Sequence, residues 1–265
     1  MLKMDLRSLI LVFLLVCPVS ASYIQLTSKV TPPGLVSSGV GNLTVSFTNS
    51  GDETAYGLWV ELISSAVADK IKVEIGDLGP GESVDKLVEF ILPDDLVGRY
   101  PLIVMTHYAD GNQYPFSQIS FTYLQAGSIT PITVTLSSEK LTLYGDGRGI
   151  FRFEVSNRDD VEHNMIARIY LPDELACDET VKDFSVDGKN KAFVEFDVRN
   201  FGAVPPATYT GVVEVGYDYG GVHYSALKSE VIEVQPHDKT LVYGAAAAIF
   251  VLAAFILKRQ FFTRR

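Results

Sequence analysis

The side chains of this 265-residue chain that could carry chemistry are few: His107, His163, His223 and His237, two cysteines, and a set of acidic pairs. A transition-metal centre needs imidazole and thiolate ligands at short spacings. No His-x-x-x-His, Cys-x-x-Cys or His-Glu-x-x-His occurs. The Gly-x-Ser-x-Gly turn that exposes a nucleophilic serine and the Gly-rich phosphate loop are missing as well. No catalytic, cofactor-binding or metal-ligating residue is therefore assigned, no cofactor is expected, and the chain is read as not an enzyme. The acidic pairs are Asp52-Glu53, Asp94-Asp95, Asp159-Asp160 with Glu162, and Asp173-Glu174. Calcium wants several oxygens close together. Asp159, Asp160 and Glu162 form the tightest group, and solvated turn residues account for it equally well. Trp59, the single tryptophan, falls on the outward register of its segment. There it could stack on a sugar ring, or simply pack. Cys177 could be a reactive thiol or an intermolecular link, but is expected to be a small buried hydrophobe. Asn42-Leu43-Thr44 has the form of an N-glycosylation acceptor.

The elements that hold these residues read as strands. Leu43, Val45 and Phe47 alternate with Thr44, Ser46 and Thr48, and Leu58, Val60 and Leu62 are offset by Trp59 and Glu61. Ile71, Val73 and Ile75, then the runs 87–92, 100–106 and 119–123, continue the pattern. Period-two alternation buries one face and wets the other, as in an antiparallel sheet. Short strands between Gly, Pro, Asn and Asp turns indicate a sandwich.

The same order then returns. Val45-Ser-Phe-Thr-Asn49 matches Phe153-Glu-Val-Ser-Asn157, an offset of 108. Val88-Glu-Phe90 matches Val194-Glu-Phe196 at 106, and Tyr100 and Tyr108 match Tyr209 and Tyr217 at 109. A nearly constant offset means duplication. Tyr100 and Tyr209 each open a penultimate strand, the place of a corner tyrosine that bonds backbone a few residues upstream. Asp110-Gly111 and Gly220-Gly221 are expected to form tight hairpin tips with positive φ.

Both ends are apolar. Residues 8–19 follow Lys3 and Arg7 and run into the exit Val19-Ser20-Ala21, the form of a secretory signal cut after Ala21. Leu241 to Leu257 carries no charge, and Lys258, Arg259, Arg264 and Arg265 follow it. That is the form of a transmembrane helix with a cytoplasmic basic tail. Of 22 cations and 32 anions, residues 22–240 keep 16 and 31, a net charge of −15. Such a balance argues against nucleic acid as partner. The expected plan is a signal at 1–21, sandwiches at 22–124 and 128–235, a span at 241–257 and a tail at 258–265. The fold class expected is all-β, two tandem immunoglobulin-like antiparallel sandwiches. The expected location is a single-pass membrane protein with its ectodomain outside and C-terminus in the cytoplasm.

Asn42-Leu-Thr-Val-Ser-Phe-Thr-Asn-Ser-Gly-Asp52, Gly76-Asp-Leu-Gly-Pro-Gly-Glu-Ser83 and Gly98-Arg-Tyr-Pro-Leu102 resemble the CARDB adhesion-related sandwich domain. They are similar also to domains of archaeal S-layer-type surface proteins. The likeness covers residues 28–123, and 132–234 more loosely; Val186-Asp-Gly188 stands where the second half lacks Leu-Gly-Pro-Gly. It implies a scaffold and a surface setting rather than an activity. The function expected is non-enzymatic presentation of tandem sandwiches for binding, adhesion or spacing in the cell envelope. The alternatives are an accessory subunit of a membrane transporter or secretion complex, and a carbohydrate-binding surface protein. Other envelope or membrane proteins are the expected partners.

Overall fold

The computed structural model describes residues 23–36, 39–67, 70–128 and 131–237. The expected signal and the expected membrane span lie outside these residues. No helix among the described residues is long and apolar enough to cross a membrane. The described chain forms strands and turns, as the period-two pattern requires.

The chain divides into two compact units at Gly127/Ser128, with Val97–Pro101 counted in the second. The strands of the first half are β1 (Leu26–Thr31), β2 (Gly39–Asn49), β3 (Ala55–Ile63), β4 (Ile71–Leu78), β5 (Ser83–Leu92), β6 (Gly98–Ala109) and β7 (Pro115–Ala126). β1, β2 and β5 form one antiparallel sheet in the order β1-β2-β5. β3 lies between β4 and β6, and β6 also pairs with β7. The alternation works as read: Leu43, Val45, Phe47, Leu58 and Val60 have no exposure at all.

The second half contains β8 (Val134–Ser138), β9 (Leu141–Tyr144), β10 (Arg148–Asn157), β11 (His163–Tyr170), β12 (Leu175–Cys177), β13 (Val181–Val186), β14 (Lys191–Asn200), β15 (Ala207–Tyr219) and β16 (Val222–Gln235). One sheet runs β12-β14-β10-β8. The other runs β13-β11-β15-β16, with β9 added in parallel to β16. The chain changes sheet between β8 and β9. Phe151, Phe153, Phe196 and Val198 from the first sheet share one buried cluster with Ala167, Val213, Val215 and Ile232 from the second. Each large apolar side chain buried this way contributes about 1.5–3 kcal/mol.

Duplication is written in hydrogen bonds. Asn49 ends β2 with no exposure, and Asn157 ends β10 at 1%. The Asn49 amide donates to the Glu53 carbonyl at 2.7 Å and the Leu78 carbonyl at 3.0 Å. The Asn157 amide donates to the Val161 carbonyl at 2.8 Å and the Val186 carbonyl at 3.0 Å. In both cases the acceptors lie 4 and 29 residues on. Each side-chain oxygen also accepts from the backbone N–H two residues on, Gly51 or Asp159. One buried amide thus closes the turn into the next strand and ties it to the end of the strand beyond, twice.

Strand register corrects one offset. Leu43 faces Val88 across β2 and β5, and Phe151 faces Phe196 across β10 and β14. Val88 therefore corresponds to Phe196, at 108 rather than the 106 suggested by the Val-Glu-Phe triplets. Apolar residues recur every second position, so a slip of two keeps the pattern and escapes sequence matching. The Gly220-Gly221 tip is as expected: both glycines have positive φ, between Tyr219 and Val222, which face each other. The Asp110-Gly111 tip differs. Positive φ falls on Gln113, at 65°. Asp110 Oδ1 accepts from the N–H groups of Asn112 and Tyr114 and holds a longer turn.

Candidate functional site

The densest polar arrangement in the second unit lies on the β11-β15-β16 sheet. Residues 213, 215 and 217 of β15 point into the core, so Glu214, Gly216 and Asp218 stand on the opposite face. The register places Arg168 opposite Glu214 and His223 opposite Asp218.

Glu214 is fully buried. Its Oε2 accepts a hydrogen bond from the Tyr170 hydroxyl at 2.7 Å, and its Oε1 lies 3.5 Å from an Arg168 guanidinium nitrogen. Loss of water raises the Glu214 pKa; the Tyr170 bond and the charges of Arg168 and His223 oppose that rise. Burial and the neighbouring carboxylate push the Tyr170 phenol far above its ordinary value. His223 Nδ1 is 2.7 Å from Asp218 Oδ1. Its ring lies over Gly216, where an added Cβ would sit 3.3 Å from His223 Nε2 and 3.5 Å from Glu214 Oε1. Neither of these two atoms has a hydrogen-bond partner among the described residues. Chemically the group is a compensated buried charge: one carboxylate, one phenol donor, one guanidinium. The Tyr100 ring stacks on the His223 imidazole, with centroids 4.4 Å apart and planes at 10°.

His107 corresponds to Gly216 at the offset of 109. In the first unit that position carries its own ring; in the second, the ring arrives from the facing strand. His107 stacks on Trp59 with centroids 3.9 Å apart and planes at 12°. Lys72 Nζ stands 4.2 Å from the Trp59 centroid. Two partners this near the centroid cannot share one ring face, so both faces of Trp59 are occupied. A sugar-stacking platform at Trp59 would have to displace one of them.

His163 is 3% exposed. Its Nε2 is 2.8 Å from Asp159 Oδ2, and it stacks on Tyr217 at 4.1 Å. Burial, the largest cause, pushes the Tyr217 phenol up to about 12. Asp160 turns instead to Lys189 at 3.2 Å. Asp159 and Asp160 thus turn to different partners, and no cluster of three or more His, Cys, Asp or Glu among the described residues could hold a metal. Asp52 accepts from the Tyr23 N–H and Glu53 from the Gly111 N–H, so these acids work as turn fasteners. His237 Nε2 contacts Asp146 at 3.3 Å on the surface. Cys177 is half-buried, donates to the Glu179 carbonyl at 3.2 Å, and has its thiol pKa raised by burial. The Tyr100 hydroxyl donates to the Val97 carbonyl at 3.3 Å, the upstream bond expected of a corner tyrosine.

A shallow cleft of about 520 Å³ opens on the other sheet of this unit, where β8 leaves it. Lys140, Ile150, Arg152, Glu154 and Phe193 line it. Phe193 is 60% exposed, with the Arg152 guanidinium 5.3 Å from its ring centroid.

No protein-family model matches the chain, and no curated protein matches it. Solved structures similar to it include the transglutaminase of red sea bream, at 11% identity and a TM-score of 0.29 over 88% of this chain and 34% of that one. The E. coli chaperone DraB is similar at 17% identity and a TM-score of 0.30, over 40% of this chain and 56% of that one. Native E. coli alpha-2-macroglobulin is similar at 10% identity and a TM-score of 0.32, over 80% of this chain and 17% of that one. The chain spans about a third of the transglutaminase chain and less of the macroglobulin. Likeness at this level says nothing of activity.

The sequence reading missed Glu214. A signal was present: one charge inside the apolar run Gly211-Val-Val-Glu-Val-Gly216. A charge in such a run is either wet or buried and paired. Choosing between them requires Arg168 and Tyr170, more than 40 residues upstream.

Proposed function

We propose that this chain is a membrane-anchored, non-enzymatic surface protein that presents two immunoglobulin-like sandwiches for binding, adhesion or spacing in the cell envelope. The observation that carries this reading is the repeated Asn49/Asn157 arrangement. The buried Asn49 and Asn157 amides serve the chain's own turns and strands, with acceptors 4 and 29 residues on in both halves. A scaffold built twice on the same interior suits a module whose work is done by its outer surfaces. The CARDB-like and S-layer-like motifs point to the same setting. The apolar segments at the two ends supply export and anchorage, with the basic tail on the cytoplasmic side.

The test is proteolysis of intact cells bearing the full chain with a tag after Arg265. Added protease should remove the sandwich body and leave a short tagged fragment in the membrane. A body that survives until the membrane is broken overturns the topology. Crosslinking in native membranes adds a second readout. A stoichiometric multi-span partner would replace the free-standing reading with that of an accessory subunit, which the Ala-rich segment 245–248 suits.

A further inference from the structure

Asn42 opens the only Asn-x-Ser/Thr triplet in the chain. The structure places it on β2, and side chains two apart on a strand share a face. Asn42 is exposed and Thr44 half-exposed, both on the outer face of the β1-β2-β5 sheet, while Leu43 between them has no exposure. β1 ends at Thr31, opposite Thr44. Among the described strands, Gly39–Leu43 therefore pair on the β5 side only.

Asn42 faces Glu89, and exposed aliphatic side chains flank the pair. Val40 is 66% exposed, Leu87 52% and Ile91 75%. Val40 faces Ile91 and Thr44 faces Leu87, so the three flank the Asn42–Glu89 pair on one surface. The duplicated unit gives an internal comparison. At the offset of 108, Val40, Asn42 and Thr44 become Arg148, Ile150 and Arg152, and Leu87, Glu89 and Ile91 become Glu195, Asp197 and Arg199. That face is crossed by charge: Arg148 pairs with Asp197 at 3.7 Å, and Arg152 Nε donates to Glu195 at 2.6 Å. The same surface of the first unit has exposed aliphatic side chains at the places of Arg148, Glu195 and Arg199, and an acceptor triplet in their midst.

We propose that Asn42 carries an N-linked glycan, and that the glycan covers the Val40, Leu87 and Ile91 patch, whose places in the other unit are held by ion-paired side chains. The inference rests on the surface reading, because the modification needs an exported chain. The co-reactant is an oligosaccharide joined through its anomeric carbon to a polyisoprenoid phosphate or pyrophosphate. The Asn42 amide nitrogen attacks that carbon and loses a proton. The new bond is C–N, the bond to the phosphate oxygen breaks, and the lipid phosphate leaves with the electron pair. Thr44 supplies the hydroxyl two residues on that the triplet requires. The glycan then projects from the outer face, away from Leu43 and the core.

The experiment takes the full chain from membranes of the cells used for the proteolysis above and measures the mass of the peptide holding Asn42. A peptide heavier by a hexose-containing chain is expected. That increment should be lost in Asn42→Gln and Thr44→Ala and kept in Thr44→Ser, which keeps the hydroxyl. Binding of an apolar dye should rise on Asn42→Gln. A body cut by external protease whose Asn42 peptide has unmodified mass overturns the glycan and leaves the surface reading standing. A protected body overturns both. A modified Asn42 with dye binding unchanged in Asn42→Gln overturns the covering role.

Discussion

Asn157 meets three backbone carbonyls within hydrogen-bond distance of its amide, at 2.8, 3.0 and 3.2 Å, with almost no exposure to water. A buried polar group that loses its partner forfeits its solvation as well as the bond. Asn157→Ala should therefore cost about 3 kcal/mol, and Asn49→Ala a similar amount, read from urea midpoints at unchanged slope. A cost no larger than that of an exposed Asn→Ala control would remove the structural role argued for both. Glu214 makes a different prediction, in pH. Its raised pKa means that above the ordinary carboxylate value of about 4.3 the folded chain still holds a proton that the unfolded chain has released. Stability contributed there is present at low pH and lost as pH rises through the raised value. Glu214→Gln cannot ionise, so it should lose less stability than the parent as pH rises above the ordinary carboxylate value. Parallel slopes for parent and variant would show that Glu214 does not titrate in that range.

At the scale of the element, the two hairpin tips differ although their sequences invite the same reading. Gly220 and Gly221 accept positive φ without a Cβ to clash, and the strands meet across two residues. In the β6–β7 turn the left-handed position falls on Gln113, while Asp110 folds its carboxylate over two N–H groups. A non-glycine residue there costs about 1–2 kcal/mol in backbone strain, partly offset by the looser unfolded state that glycine brings. Gln113→Gly should raise stability by about 0.5 kcal/mol in thermal unfolding. A loss of stability would mean that the Gln113 side chain contributes more than its backbone costs. The alternation of β2, β3 and β10 was legible because burial on one face and water on the other impose period two. The β5 to β14 offset was not: only hydrogen bonds to a neighbouring strand distinguish 106 from 108.

At the scale of the whole molecule, the sequence by itself determined an all-β chain built twice, the recurrence of Asn49 at Asn157, and the apolar character of both ends. These follow from local rules: alternation, turn chemistry, and the repeat of both at a nearly constant spacing. It left open what Trp59, the acidic cluster and Glu214 touch. Only the tertiary structure decided that Trp59 is held between His107 and Lys72, that Asp159 and Asp160 turn to different partners, and that Glu214 is buried against Tyr170 and Arg168. The reason is distance along the chain. A strand's inward and outward faces are set within a few residues, whereas the partner of a side chain comes from another strand, and its identity depends on which strands the fold lays side by side.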